Sequence, residues 1–180
     1  MVSTNTSRTP PGDPSFRAPV LPPGFRRPVA GTQYGPGMTA RIDLTLDCRN
    51  AQLVAEFWKT ALGYIDEPPP APFKTREEWL AQFDLPEDDS EDDAAWLCDP
   101  DGIGPRLSIL TVPEPKTAKN RLHIDIRVPG HGSPDERWER IRAESKRLVR
   151  AGGTVLEEFG GHHIVMADPE GNEFCVAAAA

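Results

Sequence analysis

Two stretches of the chain alternate polar and apolar residues, which would place several chemistry-bearing side chains on one face of a strand. The polar members are Asp43, Thr45 and Asp47 in the first stretch, and His123, Asp125 and Arg127 in the second. Alternate side chains of a strand point to the same side, so each set shares a face. A histidine beside carboxylates can exchange a proton near neutral pH, and an arginine can bind an anionic group. The pattern indicates general acid–base chemistry on a small polar molecule.

The two stretches belong to an internal repeat. Residues 41–47 are answered by residues 121–127, and the turn Asp99-Pro-Asp-Gly102 is answered by Asp168-Pro-Glu-Gly171. In each copy a strand comes first, an amphipathic helix follows, and the turn precedes a last strand. The repeat predicts two β-α-β-β-β modules with a site at or near their join. Module one is expected over 39–112, a linker over 113–120 and module two over 121–178.

Capping residues and glycines delimit the helix of each module. Asn50 fits the N-cap of a helix that runs to about Leu62, and Gly63 is placed to end it. Ser133, with Glu136 three residues later, fits a capping box. The apolar stripe of each helix would pack on the apolar face of the strands and leave the polar face open.

Composition separates the first 38 residues from the rest. This segment has eight prolines, five glycines and a net charge of +3. Because the whole chain has a net charge of −8, the remainder has a net charge of −11. A segment rich in proline and glycine without apolar periodicity is typical of a disordered extension. The acidic remainder disfavours nucleic acid as a partner, because phosphates would repel it.

Other partners and locations are limited by what the sequence lacks. No apolar run approaches the roughly 20 residues that a membrane-spanning helix needs, and the N-terminus has no apolar core of a secretory signal. The three cysteines are widely spaced and form no Cys-x-x-Cys pair, which favours reduced thiols. We therefore expect a cytoplasmic protein with a small-molecule ligand and neither a membrane nor a nucleic-acid partner.

Several segments resemble the vicinal oxygen chelate superfamily, which includes glyoxalases, bleomycin-resistance proteins and extradiol dioxygenases. The segments are Leu53–Trp58, Ala61–Tyr64, Asp99–Gly102, Val112–Lys116, Asn120–Asp125 and Ala167–Val176, and the last is the most specific. The resemblance implies an α+β fold over residues 39–180. Its two β-α-β-β-β modules would pair into a curled mixed sheet around a cavity, with helices on the outer face. It also implies homodimerisation, because superfamily members often pair modules across chains.

The resemblance also implies where a metal would bind. In metal-dependent members four side chains hold a divalent ion, and the matching positions here are Asp43, Leu110, His123 and Cys175. Leu110 has no ligating atom, so magnesium or manganese would lack oxygen ligands. Zinc or a similar ion could accept Asp43, His123 and Cys175 with water. The sequence therefore predicts no firm cofactor, with zinc or a similar divalent metal as the alternative.

Further residues are candidates for ligand contact rather than chemistry. Thr45, Arg127 and Leu110 would line the cavity beside the catalytic group. His162 and His163 point to opposite sides of one strand, and we favour His163 as the inward member. Cys175 could also contact a ligand, although small buried thiols commonly fill cores.

Three functions remain open on this evidence. The first is binding, or a metal-independent transformation, of a small polar molecule, with His123 as proton donor or acceptor oriented by Asp43 and Asp125. In it, Arg127 would meet an anionic group. The second is a metal-dependent lyase, isomerase or dioxygenase. The third is a drug-sequestering protein that resembles bleomycin-resistance proteins and binds without reacting.

Overall fold

The computed structural model describes residues 41–83 and 94–179. The extension predicted over 1–38 lies outside these residues. The elements are β1 Leu44–Cys48, α1 Ala51–Leu62, β2 Ile65–Asp66, α2 Arg76–Leu80, β3 Ala94–Cys98, β4 Leu107–Thr111, β5 Asp125–Val128, α3 Pro134–Arg150, β6 Thr154–Phe159, β7 His163–Ala167 and β8 Glu173–Ala178.

The strands form two four-stranded mixed sheets, one in each module. Sheet one has the order β1-β4-β3-β2 and sheet two the order β5-β8-β7-β6. In both sheets the first and last strands of the module are parallel neighbours, and the remaining pairs are antiparallel. The predicted fold class, α+β with two β-α-β-β-β modules, is confirmed. The backbone hydrogen bonds keep the modules as separate sheets, with β1 and β5 at an edge of each.

The two long helices begin and end as their capping residues predict. The Asn50 side chain accepts a hydrogen bond from Leu53 N, and Gly63 ends α1 with a φ of 73°. Only glycine adopts this left-handed conformation without steric cost. Ser133 and Glu136 form the reciprocal capping box of α3.

The apolar faces of both sheets are covered by these helices. Helix α1 packs on β3 and β4, while α3 packs on the strands of sheet two. The side chains that fill the interior are almost entirely apolar: Val54, Phe57, Trp58, Leu97, Leu107, Ile109, Ile141, Leu148, Ile164, Met166, Phe174 and Val176. The opposite face of each sheet carries the polar members of the alternating strands.

An aromatic cluster joins the modules at the base of the two sheets. Phe57 and Trp58 of α1 meet Phe174 of β8, with ring centroids 5.4 to 5.6 Å apart. Such tilted and edge-on pairs each add about 0.5–1.5 kcal/mol beyond the burial of their surface. The helix of module one is therefore anchored on the last strand of module two.

The repeated Asp-Pro-acid-Gly turns have a structural role, and the second turn also contacts the other module. The buried Asp168 carboxylate accepts hydrogen bonds from Trp58 Nε1 at 3.3 Å, from the Asn172 side chain and from the backbone N–H groups of Glu170 and Asn172. Glu170 accepts from the backbone N–H groups of Arg49 and Asn50 at 2.6 and 2.7 Å. The turn of module two thus holds the start of α1 in module one.

Candidate functional site

The strand registers divide the predicted site residues between two open sheet faces. On sheet two Asp125 is paired with Cys175, and Cys175 with Val165. Arg127 is paired with Ala177, and Ala177 with His163. Paired residues share a face, so His163 lies on the same face as Arg127. On sheet one Thr45 is paired with Ser108, and Leu110 with Asp47.

Asp125 links two of the other predicted residues on the open face of sheet two. Arg127 donates a hydrogen bond to the Asp125 carboxylate at 2.7 Å, and both side chains are about half exposed. Burial raises the pKa of the Cys175 thiol, and the neighbouring Asp125 carboxylate raises it further. Cys175 is therefore a neutral thiol near neutral pH rather than a reactive thiolate.

His123 lies in the segment just before β5, rather than within the strand that the alternation predicts. The Asn120 backbone N–H donates to the Glu173 carboxylate at 3.0 Å, and backbone pairing with β8 begins at Ile124, whose carbonyl accepts from Cys175 N at 3.0 Å. His123 Nε2 is 3.1 Å from Lys119 Nζ and 3.2 Å from the Asn120 carbonyl oxygen. The sequence analysis did not predict Lys119 as a neighbour of His123, because the segment is irregular and neither helical nor strand periodicity applies to it.

Asp43 is separate from this group in its contacts. It lies before β1, is exposed, and its carboxylate is 4.0 Å from the guanidinium of Arg41, which is also exposed. Within residues 41–83 and 94–179, neither Asp43 nor Asp125 forms a hydrogen bond with His123. The predicted orienting partners of the histidine are thus replaced by Lys119 and a backbone carbonyl.

The residues at the four family metal positions do not fit a metal ion. Leu110 offers no ligand atom, and the charged Lys119 side chain at His123 opposes a cation. No group of three or more His, Cys, Asp or Glu side chains is placed to hold an ion in the described parts of the chain. The three candidate zinc ligands do not form one site.

A cleft of about 300 Å³ lies between β1 of module one and the segments 120–124 and 172–174 of module two. We call it the seam cleft. Its apolar lining consists of Leu44, Leu46, Trp58, Leu107, Leu122, Ile124 and Phe174. Its polar lining consists of Thr45, Asp47, Asn120, Arg121, Asn172 and Glu173. A cleft of this size and character is typical of a site for a small organic ligand.

Of the residues predicted for catalysis or ligand contact, only Thr45 lines the seam cleft; Asp47, which shares its strand face, lines it too. Sequence reasoning missed Asn120, Arg121 and Glu173, which lie at the end of the linker and the start of β8. The signal that could have found them is the spacing of the repeat, which brings the leading strand of each module to the join. Which linker side chains reach that join depends on the path of an irregular segment.

One wall of the cleft is fixed by a network around Glu173. Its carboxylate accepts hydrogen bonds from Asn120 N and Lys116 Nζ, both at 3.0 Å. These contacts lower the pKa of Glu173 to about 2, so it remains ionised at neutral pH. The network ties the linker to β8 and holds the backbone on which Asn120 and Arg121 stand.

The comparisons with known proteins agree with this architecture. The glyoxalase-like domain family matches residues 43–177. No curated protein matches the sequence.

Solved structures match the fold at low sequence identity. A structure described as a possible glyoxalase from Bacillus cereus has a TM-score of 0.50 at 15% identity, covering 78% of this chain and 100% of that one. The fosfomycin resistance protein FosX from Mesorhizobium loti has a TM-score of 0.53 at 12% identity, covering 79% and 94%. FosX from Listeria monocytogenes, in a complex with Mn(II), has a TM-score of 0.52 at 11% identity, covering 79% and 94%. The family match and these folds show that the chain belongs to the glyoxalase-like domain family of the vicinal oxygen chelate superfamily.

Proposed function

We propose that this chain is a small-molecule-binding glyoxalase-like protein whose ligand binds in the seam cleft. The observation that carries the proposal is the cleft itself, which apolar and polar side chains line. Its most buried lining residues, Trp58, Leu107 and Phe174, form an apolar floor. An apolar floor favours the transfer of a hydrocarbon or aromatic body from water, and the polar walls orient it. The volume of about 300 Å³ suits a small ligand, at the lower end of the usual range.

The floor of the cleft is well suited to hold a defined shape. Trp58 and Phe174 belong to the interlocked aromatic cluster, and Trp58 is further fixed by its hydrogen bond to Asp168. Leu107 is buried in the centre of sheet one. Because these side chains are ordered before binding, a ligand loses less free energy in ordering them.

Any chemistry would be metal-independent and would use groups next to the cleft: His123, which stands between the cleft-lining Leu122 and Ile124, and the open face of sheet two. His123 is the proposed proton donor or acceptor, with Lys119 at its Nε2 instead of a metal. Arg127 is bound by Asp125 and does not line the cleft, so the contact with an anionic group predicted for it would lie outside the seam cleft. A protein that binds without reacting would use the same cleft, so turnover separates an enzyme from a drug-sequestering protein.

A thermal-shift screen of small organic compounds tests the binding site. Thr45 is exposed on β1 and lines the cleft, so Thr45→Arg should block the cleft with little effect on the core. The matched control is Thr60→Arg, on the exposed surface of α1. A ligand at a hundred times its Kd stabilises the native state by about 2.7 kcal/mol, which a melting curve resolves.

Compounds that raise the melting temperature of the wild type and of Thr60→Arg, but not of Thr45→Arg, support the proposal. Compounds that shift all three proteins equally bind elsewhere and refute it, as does a screen without any shift. Mass spectrometry of each bound compound after incubation then shows whether it is recovered unchanged or converted.

Chelation separates metal-independent binding from the metal-dependent alternative. We expect the ligand-induced shift to be unchanged after dialysis against EDTA, because the residues at the family metal positions do not form a site. His123→Ala should likewise leave the metal content of the purified protein unaltered. A stoichiometric ion that disappears with His123→Ala, together with a shift lost on chelation, would contradict this expectation.

A further inference from the structure

Among the described residues, the lining of the seam cleft includes one charge of each sign that has no ion-pair partner. Three charged residues line it: Asp47, Arg121 and Glu173. Glu173 is neutralised by Lys116 and bonded by the Asn120 backbone. Asp47 and Arg121 form no ion pair and no side-chain hydrogen bond with any residue in 41–83 or 94–179. They are the charges that a ligand can meet.

These two charges stand on different modules and line the same cleft. Asp47 is near the end of β1, and Arg121 lies in the segment that leads to β5. Both residues are exposed, so water solvates their charges before a ligand binds. A guanidinium binds a carboxylate through two parallel hydrogen bonds, and a carboxylate binds an ammonium group.

Resting on the proposed function, we infer that the seam cleft selects small zwitterions with an apolar body. The body lies on the floor formed by Trp58, Leu107 and Phe174. The anionic group of the ligand meets Arg121, and its ammonium group meets Asp47. A ligand with only one charge leaves the other protein charge without a partner, and a dianion is repelled by Asp47.

Four matched probes test the selection: L-phenylalanine, 3-phenylpropanoate, 2-phenylethylamine and the uncharged 3-phenylpropanol. Binding is measured by NMR titration, following the Trp58 indole N–H signal because this side chain lines the cleft. The expected order of affinity has L-phenylalanine first and the alcohol last. Each charged contact at an exposed cleft is worth about fivefold in Kd.

Charge-removing variants identify the two contacts. Arg121→Gln should raise the Kd of L-phenylalanine and 3-phenylpropanoate about fivefold and leave that of 2-phenylethylamine within about twofold. Asp47→Asn should do the reverse, weakening L-phenylalanine and 2-phenylethylamine only. The matched controls are Arg137→Gln on α3 and Asp101→Asn in the first turn, both exposed and away from the cleft.

Two results would overturn the inference. Equal affinity for all four probes, unchanged in both cleft variants, would show that the cleft binds apolar bodies without regard to charge, while the proposed function would stand. Failure of every probe to shift the Trp58 signal would also refute zwitterion selection. The proposed function is judged separately, by the compound screen and its Thr45→Arg variant.

Discussion

Asp168 is the polar side chain on which the join of the modules depends most. It is 2% exposed and accepts hydrogen bonds from an indole, an amide and two backbone N–H groups. Removing a buried acceptor leaves its donors without partners, which costs about 1–3 kcal/mol for each such group. We expect Asp168→Ala to lower the free energy of unfolding by about 3 kcal/mol or more, measured by urea denaturation.

The first copy of the turn supplies the control. Asp99 accepts hydrogen bonds from the backbone N–H groups of Asp101, Ile103 and Gly104, all in its own loop. Asp99→Ala should lower the free energy of unfolding much less than Asp168→Ala, because water can replace the lost acceptor there. Equal losses for the two variants would show that burial and the contact with Trp58 do not matter.

Glu173 gives a prediction for acid. Its pKa of about 2 in the folded protein lies below that of an unfolded glutamate, near 4.5. The unfolded state therefore binds the proton more readily, and the stability from this group is present above about pH 4.5 and lost as the pH falls toward 2. The urea midpoint of the wild type should fall more steeply between pH 6 and pH 3 than that of Glu173→Gln. Parallel pH profiles would contradict the assignment.

At the scale of elements, the start of α1 is held by the other module. Glu170 accepts from two backbone N–H groups just before the helix, where a negative charge is also favoured by the helix dipole. Glu170→Gln should lower the free energy of unfolding by about 1 kcal/mol. Asp101→Asn, at the matching position of the first turn, should be nearly neutral. A loss from Asp101→Asn as large as that from Glu170→Gln would refute the role across modules.

The strand register also shows what the alternation of polar and apolar residues could predict and what it could not. Alternation correctly separated the polar and apolar faces, since Leu44, Leu46 and Ile126 lie toward the core and Asp125 and Arg127 away from it. It did not reveal that His123 precedes the strand, in an irregular segment whose Asn120 backbone N–H donates to the Glu173 side chain. A hydrogen bond to a side chain distant in sequence does not change the local periodicity of polar and apolar residues.

At the scale of the whole molecule, the two sheets are separate. Helix α1 and the second turn join the modules, and the seam cleft lies between them. No helix in the described ranges has the length and apolar character to cross a bilayer. The homodimer and the cytoplasmic location expected from the sequence stay predictions.

Local periodicity and the internal repeat determined the two modules and the helix caps, and the resemblance of the motif segments indicated the α+β class and the family. Each of these depends on interactions between residues near in sequence or on the spacing of repeated motifs. The tertiary structure alone decided which charges are paired. It placed Lys116 on Glu173 and Lys119 on His123, and it left Asp47 and Arg121 across one cleft. The reason is that ion pairing depends on the path of the irregular linker, which no repeating pattern of side chains specifies.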